Sequence, residues 1–155
     1  MLKLTWIEFF MRAIPEAFIT VFGIYIIAKH EIIKSRYILC SISVALVAYF
    51  VRFLPIHIGI NIIINNVFII CVVMIAGIPL LRAIYSTIFT MLLLLIGELI
   101  NTILFDIFSI NIEIAFKNAF TKCMLEIPSL IFLILAILFI YFLFNKKEAV
   151  KNEIN

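Results

Sequence analysis

Charge is what this chain has least of. Asp, Glu, Lys and Arg make up 14% of the residues, where a soluble domain keeps about a quarter of its residues charged. Asp106 is the single aspartate, so the aspartate pair of a membrane-embedded protease is absent. No HExxH, GxSxG, Walker loop or CxxC occurs, and Cys40 and Cys71 have no histidine placed to act as a base. No enzymatic activity, cofactor or metal site is therefore expected. The three cysteines, Cys40, Cys71 and Cys123, are odd in number and lie in or beside apolar segments; they read as buried thiols rather than disulfides or ligands. The four glycines form no GxxxG motif, so close helix dimerisation is not signalled. The net charge is only +3, and no basic cluster interleaved with aromatics suggests a nucleic-acid partner.

What is present is hydrocarbon. Of 155 residues, 66% are hydrophobic, and the mean hydropathy is +1.30. The expected fold class is all-α, a polytopic membrane helical bundle in contact with the lipid bilayer. Five segments are long enough to span: Leu4–Ala28, Tyr37–Leu54, Ile58–Ala76, Arg82–Phe108 and Cys123–Phe144. Residues 1–144 form one transmembrane domain and residues 145–155 a short basic tail. The first apolar stretch begins at once, carries acids and lacks a small-residue cleavage site, so it reads as a retained helix rather than a cleaved signal. Four prolines punctuate the chain. Pro55 and Pro79 fit helix starts, Pro128 lies early in helix five, and Pro15 is expected to kink helix one.

Lys29, Lys34, Arg36, Arg82, Lys146, Lys147 and Lys151 fall on one side of this topology, seven Lys/Arg in all. Lys3, Arg52, Lys117 and Lys122, four in all, fall on the other. The positive-inside rule then places the N-terminus outside and the C-terminus in the cytoplasm; the heavy use of Ile, Phe, Asn and Lys suits an AT-rich bacterial genome, so a bacterial plasma membrane is the expected location. Ser109–Lys122 alternates apolar and polar residues and would lie along the outer interface. Trp6 reads as an outer anchor, with Tyr25, Tyr37 and Tyr141 as inner ones.

Against this background the stretch EFFMRAIPE stands out. Glu8, Arg12 and Glu16 are spaced at i, i+4 and i+8, along one helical face. Each central charge costs about 2.5–3.5 kcal/mol on insertion, while each large apolar residue returns about 0.3–0.6. Helix one is thus a weak span alone, and its charged face should point into the bundle. Arg52, Asn61, Asn65, Asn66, Glu98, Asn101, Thr102, Asp106 and Glu126 all fall in the outer half under the same topology. The candidate site is the cluster Glu8, Arg12, Glu16, Arg52, Asn65, Glu98 and Asn101. Glu98 has no opposite charge within a turn of its own helix, so Arg12 or Arg52 is its expected partner. Two readings of the cluster fit: ion pairs that hold helices together, or a polar cavity open to the outside that binds a ligand.

The stretches RAIPEAFITVFGIYIIAK and RFLPIHIGINIIIN resemble the multi-pass N-terminal membrane sensor regions of accessory-gene-regulator-type (GHKL) sensor histidine kinases of low-GC Gram-positive bacteria. The likeness runs to about Phe144. It implies an extracellular peptide or lipophilic signal and output through the cytoplasmic C-terminus. Only NKKEAVKNEIN follows Phe144, with no room for a phospho-accepting helix or an ATP-binding domain. No kinase activity is expected of this chain, and no catalytic residue carries over.

Three functions remain in view. The first is a non-catalytic sensory or regulatory module that works with a separate membrane or cytoplasmic protein such as a kinase. The second is a small membrane transport component, a substrate-binding subunit served by a separate ATPase. The third is a structural or assembly subunit without a ligand.

Overall fold

The computed structural model describes residues 9–53, 58–107 and 119–154. Among these residues every regular element is helical and no strand occurs. A π-helical turn, Phe9–Ala13, leads into α1, Ile14–Ile27. Next come α2, Lys34–Phe53, and α3, Ile58–Ile75. The last two are α4, Leu80–Ile107, and α5, Ala119–Ile154. Four helical stretches are long and apolar enough to cross a membrane: Phe9–Ile27, Lys34–Val51, Leu80–Ile107 and Cys123–Lys146. Gly59–Ile75, within α3, is apolar but shorter.

The element positions follow the expected spans closely, with two differences. The helix expected to end at Phe144 continues to Ile154, so the anticipated tail is helical. Of Ser109–Lys122, residues 109–118 lie outside the described residues, and Ala119–Lys122 form the first turn of α5. Leu4 to Glu8, Trp6 among them, together with Pro55 and His57, also lie outside them. Pro79 directly precedes α4, and its carbonyl accepts from the Ala83 amide at 2.9 Å, as a proline at a helix start should.

The span that carries Arg12 and Glu16 is the most buried of the four. α1 packs on α2, α4 and α5, while α3 packs on α2 and α4. The span that includes α1 is 44% buried, against 28%, 22% and 17% for the other three. Its core is Ala17, Val21, Ile24 and Tyr25, joined by Cys40, Val44 and Ala45 of α2 and by Ile69 and Val73 of α3. Small residues let it sit there. A Cβ on Gly23 would lie 2.8 Å from Ile137 Cδ1 and 3.1 Å from Thr90 Cγ2, so α4 and α5 close directly on the α1 backbone. The outer faces carry large apolar side chains, including Leu81, Ile88, Leu99, Leu135 and Phe142. An apolar surface on this scale exceeds what a soluble monomer exposes.

Tyr25 departs from its expected role as an interfacial anchor. It is 1% exposed and belongs to the core, edge-on to both His30 and Tyr37. The loop after α1 turns back at Lys29, whose φ is +49°, and brings the His30 ring against Tyr25. Tyr37 is half-buried, donating its hydroxyl to the Phe18 carbonyl at 2.9 Å. Only Tyr141 is exposed as an anchor would be. Cys40 and Cys123 are buried thiols, whereas Cys71 is on the apolar exterior.

Candidate functional site

The π-helical turn sets the site. Pro15 has no amide hydrogen, and in a continuous α-helix its ring would press on the Met11 carbonyl four residues back. The backbone widens over Phe9–Ala13 and resumes as an α-helix with proline in its first turn. A π-turn of this kind re-aims the side chains it carries and is frequent at functional positions. Arg12 lies within it.

From there the guanidinium meets three carboxylates on three helices. Arg12 Nη1 lies 2.8 Å from Glu126 Oε1 on α5. Arg12 Nη2 donates to Glu98 Oε1 on α4 at 3.2 Å. Arg12 Nε lies 3.5 Å from Glu16 Oε2, one turn on in α1. The side chains of Arg12 and Glu16 are each 18% exposed, that of Glu126 is 13% and that of Glu98 is 47%. Glu98 is thus the one acid of the three that reaches the surface. Pairing a guanidinium with several acids lets its planar fork bind in more than one direction at once.

A second polar contact braces the same helices. Asn101 is 6% exposed, and its amide donates to the Leu125 carbonyl of α5 at 2.9 Å. Ser129 Oγ donates to the Glu126 carbonyl at 2.7 Å. These donors cluster around Pro128, which lies inside α5. Neighbouring side chains that satisfy carbonyls near a proline are what make it tolerable in an apolar helix. Gly97 lets α4 approach here: a Cβ on it would lie 3.1 Å from the Ser129 carbonyl oxygen and 3.2 Å from Phe132 Cδ1.

The structure therefore gathers Arg12, Glu16 and Glu98, with Asn101 one turn along α4. Glu126 joins them, although sequence reasoning placed it among the polar residues of the outer half and not in the candidate set. Its signal was its place two residues before Pro128, on the only acid of helix five within the apolar run. Asn65 does not touch Arg12. It lies on the far side of Glu16, where Ala13, Glu16, Ala17, Thr20, Val44, Ala48, Asn65, Ile69 and Met91 line a cavity of about 20 Å³. Glu8 and the Arg52 side chain lie outside the described residues.

Sequence reasoning also overlooked the hydroxyls of the other half of the bundle. Ser41, Ser86, Thr87 and Thr90 are all buried. Ser86 and Thr90 donate to carbonyls one turn back, at Arg82 and Ser86. Small hydroxyl residues fit where helices approach closely, so they serve packing. A larger apolar cleft, about 390 Å³, lies away from the charges between Ile27, Tyr85, Phe89, Ile140, Leu143 and Phe144. It holds none of the candidate residues.

No group of three or more His, Cys, Asp or Glu side chains suited to a metal ion occurs among the described residues. The acids of the cluster converge on the Arg12 guanidinium. Compared with protein-family models, with curated proteins and with solved structures, the chain matches none.

Proposed function

We propose that this chain is a non-catalytic, multi-pass module of a bacterial plasma membrane. In this reading its N-terminus is outside and its C-terminus cytoplasmic, and it senses or regulates by binding a small ligand or a membrane partner at the Arg12 cluster. The single observation that supports it is one arginine shared among acids of α1, α4 and α5. Ion pairs kept inside an apolar bundle are costly, and a purely structural contact is made at lower cost by packing alone.

Glu98 is the acid an incoming group would displace, because it is half-exposed while Glu16 and Glu126 are not. Loss of its pair with Arg12 removes the ion pair between α4 and the first span but leaves the one to α5 in place. A ligand that favours the freed arrangement shifts the population toward it. Because α5 is one continuous helix from Ala119 to Ile154, a tilt at Glu126 is carried to its far end, where a separate kinase or other partner would read it.

Cysteine accessibility tests this. In a background with Cys40, Cys71 and Cys123 replaced, single cysteines at positions 16, 65 and 98 are exposed to a membrane-impermeant maleimide from the outside. Labelling at 98, faster than at 16 and 65, is expected. A folded protein that labels at none of the three rules out a site open to that side.

A further inference from the structure

Several buried polar atoms of the bundle have no hydrogen-bond partner, and two of them belong to residues that line one cavity. Glu16 Oε2 and Asn65 Oδ1 are both buried acceptors that receive no hydrogen bond. Their residues, from α1 and α3, line the same small cavity, and so does Thr20, 2% exposed and one turn along α1 from Glu16. Buried acceptors cost about 1–3 kcal/mol each when nothing donates to them. Glu16 Oε2 has the long 3.5 Å contact with Arg12 Nε but no hydrogen bond, and Asn65 Oδ1 has none either, so the cavity their residues share lacks a donor.

The cavity states the size of that donor. Its volume of about 20 Å³ exceeds the roughly 10–15 Å³ that one water needs, and a buried water makes about three hydrogen bonds. We infer that this cavity is a binding site for a single resident water that bridges Glu16 of α1 to Asn65 of α3. The bonds close without remainder. One water O–H donates to the Glu16 carboxylate, the other to Asn65 Oδ1, and the Thr20 hydroxyl donates to the water oxygen. The rest of the lining, Ala13, Ala17, Val44, Ala48, Ile69 and Met91, offers nothing polar from its side chains, so the polar contacts of the guest come from Glu16, Thr20 and Asn65.

The site changes what Glu16 does. Its contact with Arg12, at 3.5 Å, is the longest of the three, and its second role is to hold the water. Through that water the charged cluster extends to α3, which the direct ion pairs do not reach. Thr20 and Asn65 are positioning residues for the water and need no ligand at Arg12 to act as such.

Radiolytic footprinting of the full chain in detergent tests the site. A short X-ray pulse turns a bound water into an oxidant that marks its neighbours, and rapid mixing with heavy-oxygen water separates slowly exchanging water from bulk. Met91 lines the cavity, while Met74 and Met124 are exposed on the detergent-covered exterior. Met91 should be oxidised severalfold more than either and should retain light oxygen after mixing. Asn65→Leu and Thr20→Val should each abolish that excess, while Gly59→Ala, with nothing within 4 Å of the added Cβ, should leave it unchanged. Oxidation of Met91 that is no greater than that of Met74, or that survives both variants, overturns the site. Because the water is resident and needs no entry from outside, this result is independent of maleimide access to Glu98.

Discussion

Arg12 Nη1 and Glu126 Oε1 lie 2.8 Å apart, so the first helical span is fastened to the last helix by the shortest of the Arg12 ion pairs. The contact is the best shielded of the three: the Glu126 side chain is 13% exposed and that of Glu98 is 47%. Energetic weight follows shielding, because solvent screens an exposed pair and a buried one keeps its attraction only while both partners are present.

Glu126→Ala should therefore cost more stability than Glu98→Ala. Stranding part of a buried pair costs about 3–5 kcal/mol, and losing a half-exposed one costs up to about 1 kcal/mol. Thermal unfolding of the purified chain in one detergent gives the order. Equal losses for the two variants would mean that Glu126 is as well solvated as Glu98.

Arg12→Met should be the most damaging single change in the cluster, since it leaves acids of α1, α4 and α5 facing one another. Arg12→Lys should recover only part of the loss, because an ammonium lacks the planar fork that reaches in several directions. A double-mutant cycle of Arg12 with Glu126 should give a larger coupling than one with Glu16, where the contact is 3.5 Å. Indistinguishable coupling energies for the two cycles would contradict this.

Pro15→Ala should restore α-helical bonding over Phe9–Ala13 and rotate Arg12 away from Glu126. Helical propensity improves locally, yet the Arg12–Glu126 coupling should fall. If the coupling is unchanged in the Pro15→Ala background, the widened turn does not aim the guanidinium.

Two glycines with opposite surroundings make a controlled comparison. Gly97→Ala drives a Cβ toward the Ser129 carbonyl at 3.1 Å, a backbone atom that moves only if α5 moves. Overpacking of this kind costs about 1–3 kcal/mol. Gly59 has nothing within 4 Å of a built Cβ, so Gly59→Ala should be neutral or stabilise by up to about 1 kcal/mol through helix propensity. Unfolding midpoints that move in the same direction for both would count against the α4–α5 packing described above.

Gly77 is constrained by conformation as well as by space. Its φ is +109°, and a Cβ would lie 3.1 Å from Arg36 Nη1, the group that donates to the Ala76 carbonyl at the end of α3. Gly77→Ala should destabilise by about 1–2 kcal/mol, the cost of placing a side chain in left-handed backbone. Combined with Arg36→Ala, the loss should be less than the sum, since both act on the same helix end. Simple additivity in a double-mutant cycle would separate the two.

Much of this architecture was legible one residue at a time. The runs of Ile, Leu and Phe mark the helices, and the start of α4 falls directly after Pro79 as proline's missing amide predicts. The Arg12–Glu16 contact follows from i, i+4 spacing alone, and the cost of those charges in an apolar span directs that face of the first helix toward the bundle. These are local rules, and one sequence states them completely. The partners across helices are different in kind. Whether Glu98 or Glu126 stands nearer Arg12, why Tyr25 leaves the rim for the core, and which acceptors Glu16 and Asn65 leave open toward one cavity all depend on how far each rod is rotated about its own axis. That rotation is decided by close contacts such as Gly23 on Ile137 and Gly97 on Ser129. Such contacts belong to pairs of helices distant in the chain, and no periodicity within either helix encodes them.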